Sequence, residues 1–435
     1  MKNLRNILII NAHSSKNKGD AAIIISMIQT IKRIVPNSSI TVSTRYPEHD
    51  GLYEDFGCKV VDQLTRFPSK NLSFIKRLTF LLNELKVALK FVKNKKVPNH
   101  RNKDVFEAYL NADIIVSCGG GFIYSHPKYH IEASLIMHLA QIYFGKRINK
   151  PVITYAQSIG PFKSKLSQII NRHVLNQVDS ITIREELSKQ FLADIGVTKN
   201  IEVVGDSAFT MKGSKNNPAV KKLVGNINEK PFSVGVTVRQ WEFPNKENPK
   251  SLYEKYILSV VAAITKLVEK NNATVYLVPQ VTGPTPIEDD RIASNHVWEK
   301  LTPEIRESVI FLKEDYTPME LKEIYSNFNM FIGTRMHSNI FSLSGMVPTI
   351  GIAYEAKTTG IMKLLKLSDY VLDINIIDQD SMLKTLELTL SNLDWYKKHL
   401  NKEIPLMQKE AEKPAYIIKN MTANQSIENK KVNSF

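Results

Sequence analysis

Short runs of Ile, Val, Leu and Phe alternate along most of this chain with longer stretches whose apolar residues recur every three or four positions. The short runs read as buried strands and the longer stretches as amphipathic helices. In the first half, strands are expected over 4–11, 39–44, 112–117, 151–155, 180–183 and 201–204, with helices over 21–35, 131–145, 163–176 and 184–195. A second series places strands over 232–239, 274–279, 308–312, 330–332, 347–354 and 370–374, and helices over 251–269, 290–300, 318–326 and 358–367. Regular strand–helix alternation predicts parallel sheets covered by helices on both faces. Residues 1–212 are therefore expected to form one domain and 232–380 another. Between them, 213–231 is rich in Gly, Asn and Lys and reads as a linker. Residues 381–421 read as a helical tail, and 422–435 as disordered.

One segment breaks this rhythm. Residues 70–103 carry ten basic side chains and a single Glu, Glu84, while Leu78, Leu81, Leu82, Leu85, Leu89 and Val92 recur at helical spacing. This is a basic amphipathic insertion. It fits either a core-facing helix with a solvated outer face, or one that docks weakly on anionic lipid or on a lipid-linked acceptor. Aromatic residues are few here and no binding motif is present, so nucleic acid is not an expected partner.

The bulk figures narrow the class. The net charge is +15 and the apolar fraction 43%, which suits a globular protein with anionic partners. Cys58 and Cys118 stand in unlike settings, without zinc spacing or a disulfide framework. The opening residues lack a signal-peptide core, and no run is long enough to span a bilayer. A cytoplasmic protein is expected, either free or peripheral at the inner face of the membrane.

Candidate chemistry gathers where predicted strands end. The richest stretch is 330–357: strand, Gly333-Thr334 turn, helix, strand and loop. Thr334 is expected to cap the helix. Arg335, Met336 and His337 are then expected on its first turn, where free N–H groups and the macrodipole attract anions. Glu355 and Lys357 follow the next strand, at the edge where open α/β sheets bind ligands. Arg239 and Gln280 end two further strands of the same domain. In the first domain, Gly19 and Asp20 open the first helix, Gly120 and Gly121 follow a strand, and Asp206 lies in a Gly-Asp loop. Together with Gln280 and Glu355 these are candidate acceptor or cleft residues, although Asp20 also reads as a simple helix cap. The run Glu288, Asp289, Asp290 reads as a helix start rather than a metal site. No metal is expected.

The stretches NKGDAAI, SCGGGFIY, AQSIGPF, REELSKQFLADIG, VVGDSAF, VGVTVRQW, VPQ and FIGTRMHSNIFSLSGMVPTIGIAYEAK together resemble the polysaccharide pyruvyl transferase family. They occur in the family's order over about residues 4–374. Two positions depart from its pattern: Ala21, where many members carry Glu, and Glu355, where Asp is frequent. The resemblance implies two Rossmann-like domains facing a cleft, as in GT-B glycosyltransferases. It also implies phosphoenolpyruvate as donor, a sugar as acceptor and no further cofactor. Arg239, Arg335, Met336 and His337 correspond to the family's donor pocket.

Those residue types suit such a donor. Arg binds carboxylate and phosphate bidentately and keeps its charge. A histidine titrating near neutrality can move a proton, as acid or as base. Two other functions fit the same residues: a GT-B glycosyltransferase using a nucleotide sugar, and a non-catalytic sugar- or lipid-surface-binding protein.

Overall fold

The computed structural model describes residues 5–64, 73–125, 133–283 and 286–432. Lys70, a member of the basic insertion, lies outside them. The chain divides into two compact units, the first comprising 1–15, 23–207 and 410–435, the second 16–22 and 208–409.

The first unit is built on β1 (Arg5–Ala12), β2 (Ser38–Thr44), β3 (Lys59–Asp62), β4 (Ile114–Ser117), β5 (Gly120–Ile123), β6 (Val152–Ile159), β7 (Ser180–Ile183) and β8 (Ile201–Val203). Its helices are α1 (Lys18–Ile34) from Ile23 on, α2 (Phe74–Asn94), α3 (Lys103–Asn111), α4 (Ala133–Arg147), α5 (Lys165–Leu175) and α6 (Glu186–Asp194). The strands are parallel in the order β3-β2-β1-β4-β6-β7-β8, with β5 paired to β6. Every side chain of β4 and β6 is buried, as expected of a sheet covered on both faces.

The second unit holds α7 (Pro218–Asn228), β9 (Ser233–Thr237), α8 (Pro249–Asn271), β10 (Thr274–Leu277), α9 (Asp290–Lys300), α10 (Pro303–Arg306), β11 (Val309–Phe311) and α11 (Pro318–Tyr325). It continues with β12 (Met330–Gly333), α12 (Met336–Ser344), β13 (Thr349–Ala353), α13 (Ala356–Leu364), β14 (Val371–Asp373), α14 (Gln379–Ser391) and the part of α15 (Leu393–Val432) that precedes Glu410. Its six parallel strands run β11-β10-β9-β12-β13-β14. In each sheet the chain first winds one way and then reverses, between β1 and β4 and between β9 and β12. Such switch points leave a crevice at the strands' carboxyl ends where ligands bind in α/β folds.

Three expectations change. The expected linker is mostly a helix: α7 begins at Pro218, is capped by the Asn217 side chain and buries Val220, Val224 and Ile227. That i, i+4, i+7 stripe is a core face despite its polar surroundings. The described residues from Glu410 on group with the first unit, and α15 continues to Val432, where the sequence reads as disordered from about Thr422. Helix α1 starts at Lys18 rather than Ala21, because Asn17 Oδ1 takes the Gly19 N–H at 3.1 Å. Asp20 is therefore a first-turn residue, not the cap.

Candidate functional site

In the second unit the carboxyl edge of the sheet collects residues from four strand ends. Arg239 follows β9, Gln280 follows β10, Arg335 and His337 follow β12, and Tyr354 and Glu355 follow β13.

Arg335 is the N-cap residue of α12, in extended conformation, rather than part of its first turn. Thr334 does not cap that helix. It is fully buried, and its hydroxyl pairs with Tyr256 Oη at 2.8 Å. The same Tyr256 oxygen accepts the Arg239 N–H at 3.2 Å, so one buried tyrosine ties the ends of β9 and β12 together. Ser338 Oγ donates to the Arg335 carbonyl at 2.7 Å and meets Thr237 Oγ1 at 2.8 Å.

The Arg335 guanidinium is already engaged. Its Nη2 donates to Asp290 Oδ1 at 2.7 Å and to the Glu288 carbonyl at 3.0 Å, and its Nε donates to Asp290 at 3.1 Å. Asp290 is fully buried and also accepts the backbone N–H groups of Gln280 and Val281. Burial opposes the charge on Arg335, but the Asp290 carboxylate outweighs it and raises the guanidinium's pKa. Nη1 is the nitrogen left without a protein partner among the described residues. The expectation that Arg335 offers a free two-pronged face is therefore corrected, since Asp290 occupies that face. Asp290 is the residue that the sequence reading missed. Its neighbour Asp289 does cap α9, as a run of carboxylates suggests, and this hides the second role.

Arg239 is the contrasting case. Its guanidinium lies 4.0 Å from the Tyr354 ring centre and 4.9 Å from that of Trp241. Its Nε donates to the Gln240 carbonyl at 3.0 Å, and no carboxylate of the described residues pairs with it. Burial lowers its pKa from the usual arginine value, and the nearby Arg335 charge lowers it further. The rings supply cation–π attraction in place of water. The result is a partly desolvated cation with both terminal nitrogens available.

His337 stands on the first turn of α12 and is half-buried. Gly19 packs directly against it: a Cβ built there would lie 2.3 Å from His337 Nδ1. Gly19 and Asp20, expected on the first domain's side, thus belong to the second unit's contacts. The same segment is held by Lys18, which pairs with Asp315 at 3.0 Å. Asp20 accepts from Asn17 Nδ2 at 2.9 Å.

The remaining candidates scatter. Met336 is buried in the second unit's core, so it presents backbone to the site rather than its side chain. Gln280 is buried, and its Oε1 has no hydrogen-bond partner among the described residues. Glu355 is the N-cap residue of α13 and lies 3.7 Å from Lys357, both part-exposed. In the first unit Gly120 and Gly121 are strand residues of β5 rather than a ligand loop. Asp206 is buried and paired with Arg184 at 2.6 Å. Among the described residues no group of three or more His, Cys, Asp or Glu could hold a metal ion, and no helix is long and apolar enough to cross a membrane.

Residues 17–356, which include the Gly19–His337 contact, Arg239 and Arg335, match the family model described as polysaccharide pyruvyl transferase. The chain belongs to the polysaccharide pyruvyl transferase family. As a member it is a transferase of polysaccharide synthesis. It is 24% identical over 400 residues to the amylovoran biosynthesis protein AmsJ of Erwinia amylovora, covering 89% of this chain and 92% of that one. Among solved structures it resembles the UDP-GlcNAc 2-epimerase of Methanocaldococcus jannaschii, with TM-score 0.58, 12% identity, and 95% and 99% of the two chains covered. A glycosyltransferase of Rickettsia africae gives TM-score 0.53 at 14% identity, covering 99% and 98%. These structures share the GT-B-like fold of this pyruvyl transferase family member, two Rossmann-like α/β domains.

Proposed function

We propose that this protein transfers the pyruvyl group of phosphoenolpyruvate to two hydroxyls of a sugar, as a ketal, during surface or exopolysaccharide synthesis. The observation that carries the proposal is Arg239: a cation stacked on Tyr354 and Trp241, without a described carboxylate partner, beside a second arginine. Such a group favours a compact dianion that can use both terminal nitrogens. Arg335, fixed by Asp290, offers Nη1 end-on. The polysaccharide context follows the family and the likeness to the amylovoran biosynthesis protein of Erwinia amylovora, and the proposal needs no cofactor beyond the donor.

In the reaction both sugar oxygens bond to the enol carbon, and the carbon–oxygen bond to phosphate breaks. One hydroxyl proton goes to the methylene carbon, making it a methyl group, and the other leaves with phosphate. His337, next to the arginines, is the group proposed to move a proton. Lys357 and Glu355 are proposed to border the donor.

A lipid-linked acceptor would place the protein at the cytoplasmic face of a membrane, and α2 supports weak contact there. Ile75, Leu82, Leu85 and Leu89 are exposed on it. At 100° per residue they form one stripe, which Lys86, Lys90 and Lys93 border, also exposed. Phe91, on the opposite side, is buried.

The test is a thermal-shift and calorimetric titration with phosphoenolpyruvate and, separately, UDP-sugars. Phosphoenolpyruvate should raise the melting temperature of the wild type and not that of Arg239→Ala. A shift with UDP-sugars alone would make the protein a glycosyltransferase. No shift with either would leave a non-catalytic binding protein.

A further inference from the structure

The first unit has its own switch point, between β1 and β4. Two distortions flank it. Asn11 in β1 has φ of 65° where the pairing with β2 shifts register, and Ala156 in β6 has φ of 47° where the pairing with β7 shifts. Non-glycine residues rarely adopt this left-handed conformation, and strain of this kind collects at functional sites. Bulges also re-aim the side chains around them.

The side chains they place are polar and interlocked. Asn11, fully buried, donates through Nδ2 to Ser117 Oγ at 3.1 Å and accepts at Oδ1 from Gln141 Nε2 at 2.6 Å. The same Oδ1 faces His138 Nδ1 at 3.0 Å. An amide oxygen can only accept, so Nδ1 carries the proton and His138 Nε2 the lone pair. Burial, then the neighbouring His13 and Arg45, hold His138 well below the ordinary histidine value, so it stays neutral. Two further polar atoms, Gln157 Nε2 and Gln141 Oε1, are buried without a hydrogen-bond partner among the described residues. Beside them, the rings of His13, Phe122 and His138 pack with centres 4.4 to 5.2 Å apart. His13 is the ring that stays partly exposed. Its loop is pinned where the Ser15 N–H donates to buried Asp50 at 2.8 Å.

This set selects a ligand class. His138 Nε2 offers a lone pair rather than a proton, so it is a poor partner for an anion. A hydroxyl both donates and accepts, and so matches a crevice that holds unpaired donors and acceptors together. The ring wall suits the C–H face of a saturated ring. We propose that the β1/β4 crevice is a second binding site, for the pyranose ring of a neutral sugar. There His138 Nε2 accepts a hydrogen bond from a ring hydroxyl, and His13 and Phe122 pack against the ring face. If the proposed transfer reaction holds, this site takes its acceptor.

Saturation-transfer NMR on the full chain, with methyl β-D-galactopyranoside and methyl β-D-glucopyranoside as probes, tests this without donor present. The wild type should transfer saturation to at least one pyranoside, with ring C–H protons strongest. His13→Ala and His138→Gln should each reduce the effect at least fivefold. His13→Ala, at a part-exposed position, serves if the buried His138 variant fails to fold. Absence of transfer in the wild type, or undiminished transfer in a folded His13→Ala protein, overturns the proposal. Calorimetry with phosphoenolpyruvate on the same samples separates the two ideas. Donor binding without sugar binding refutes this site alone, and sugar binding without donor binding refutes the transfer reaction alone.

Discussion

Replacing Gly19 by alanine adds one methyl group, and the geometry says where it goes. Its Cβ would lie 2.3 Å from His337 Nδ1, 2.9 Å from Cγ and 3.0 Å from Cε1. Ordinary contact starts near 3.5 Å, so the ring or the first turn of α1 must shift by about 1 Å. The histidine's backbone cannot follow easily, because Ser338 next to it is hydrogen-bonded to Thr237 and to the Arg335 carbonyl. Lys18 anchors the other side through Asp315. The imidazole is therefore the part that moves. Overpacking costs about 1–3 kcal/mol, offset by about 0.5–1 kcal/mol of improved helix propensity in α1. Stability should fall by about 0–2.5 kcal/mol, a small change. Turnover should fall much more, by about 10²-fold, if His337 must hold its place to about an ångström. Gly225→Ala in α7, whose Cβ meets nothing within 4 Å, should gain stability and keep full activity. Steady-state phosphate release from phosphoenolpyruvate, with thermal melts of both variants, reads the contrast. Wild-type turnover by Gly19→Ala would show that the ring's position does not matter to the reaction, and the role given to His337 would fall.

Other changes probe the rest of the site. Asp290→Ala strips the buried Arg335 of its counter-charge and should cost about 3–5 kcal/mol in urea melts; an unchanged midpoint would mean that Arg335 does not rely on the pair. His337→Gln should keep donor binding in calorimetry while turnover falls by about 10²–10⁴-fold; near-normal turnover would reduce His337 to a binding residue. Lys322 is buried, donates to Ser326 and to the Phe341 carbonyl, and has its pKa pushed down to about 7 by burial, against a smaller opposite effect of Glu323. Between pH 7 and its unfolded value near 10.4 the unfolded chain binds a proton that the native chain lacks, so stability rises with pH at up to about 1.4 kcal/mol per unit and levels off below pH 7. Urea melts at pH 7 and 9 should show that rise in the wild type relative to Lys322→Met, and parallel curves would refute it. Leu85→Glu on α2 should abolish sedimentation with anionic vesicles, where each nearby lysine contributes about 1 kcal/mol at low salt; equal binding of wild type and variant would return α2 to a purely packing role.

Much of this was legible in the chain. The period-2 and period-3.6 signals are strong where strands are buried on both faces, as at β4 and β6, and they gave the α/β class. The strand ends then pointed to Arg239, Arg335 and His337. Long-range pairings stayed hidden. Nothing local marks Asp290 as the partner of Arg335, 45 residues away, because the same Asp-Asp pair also satisfies a helix start. Thr334 reads as a cap, yet its hydroxyl is spent on Tyr256. Trp241 follows Arg239 by two positions, a usable hint of stacking, but the second ring, Tyr354, comes from another strand. In the first unit single histidines carry no signal, and only the packing of α4 beside β1 makes His13 and His138 neighbours. The linker failed for a different reason. Its composition is polar, and three apolar residues at helical spacing were enough to bury it.

Two sheets with the same reversal point carry opposite chemistry at their carboxyl edges. In the second unit the edge holds two arginines, and burial first, then the Arg335 charge, hold Arg239 below the usual arginine value. Asp290 neutralises one of them. The other is left to Tyr354 and Trp241, whose faces stabilise a cation by about 0.5–2 kcal/mol, less than a carboxylate partner would. On the proposed reading, the anionic donor would supply the counter-charge that no described carboxylate gives Arg239 directly. The first unit's edge shows the reverse arrangement. Its ionisable histidine is kept neutral and its unmet needs are hydrogen bonds rather than charge. If the proposed transfer holds, its anionic donor and its uncharged sugar would each meet the kind of deficit that suits it. If one crevice bound both probes with similar affinity, that division of labour would be wrong, whatever the reaction turned out to be.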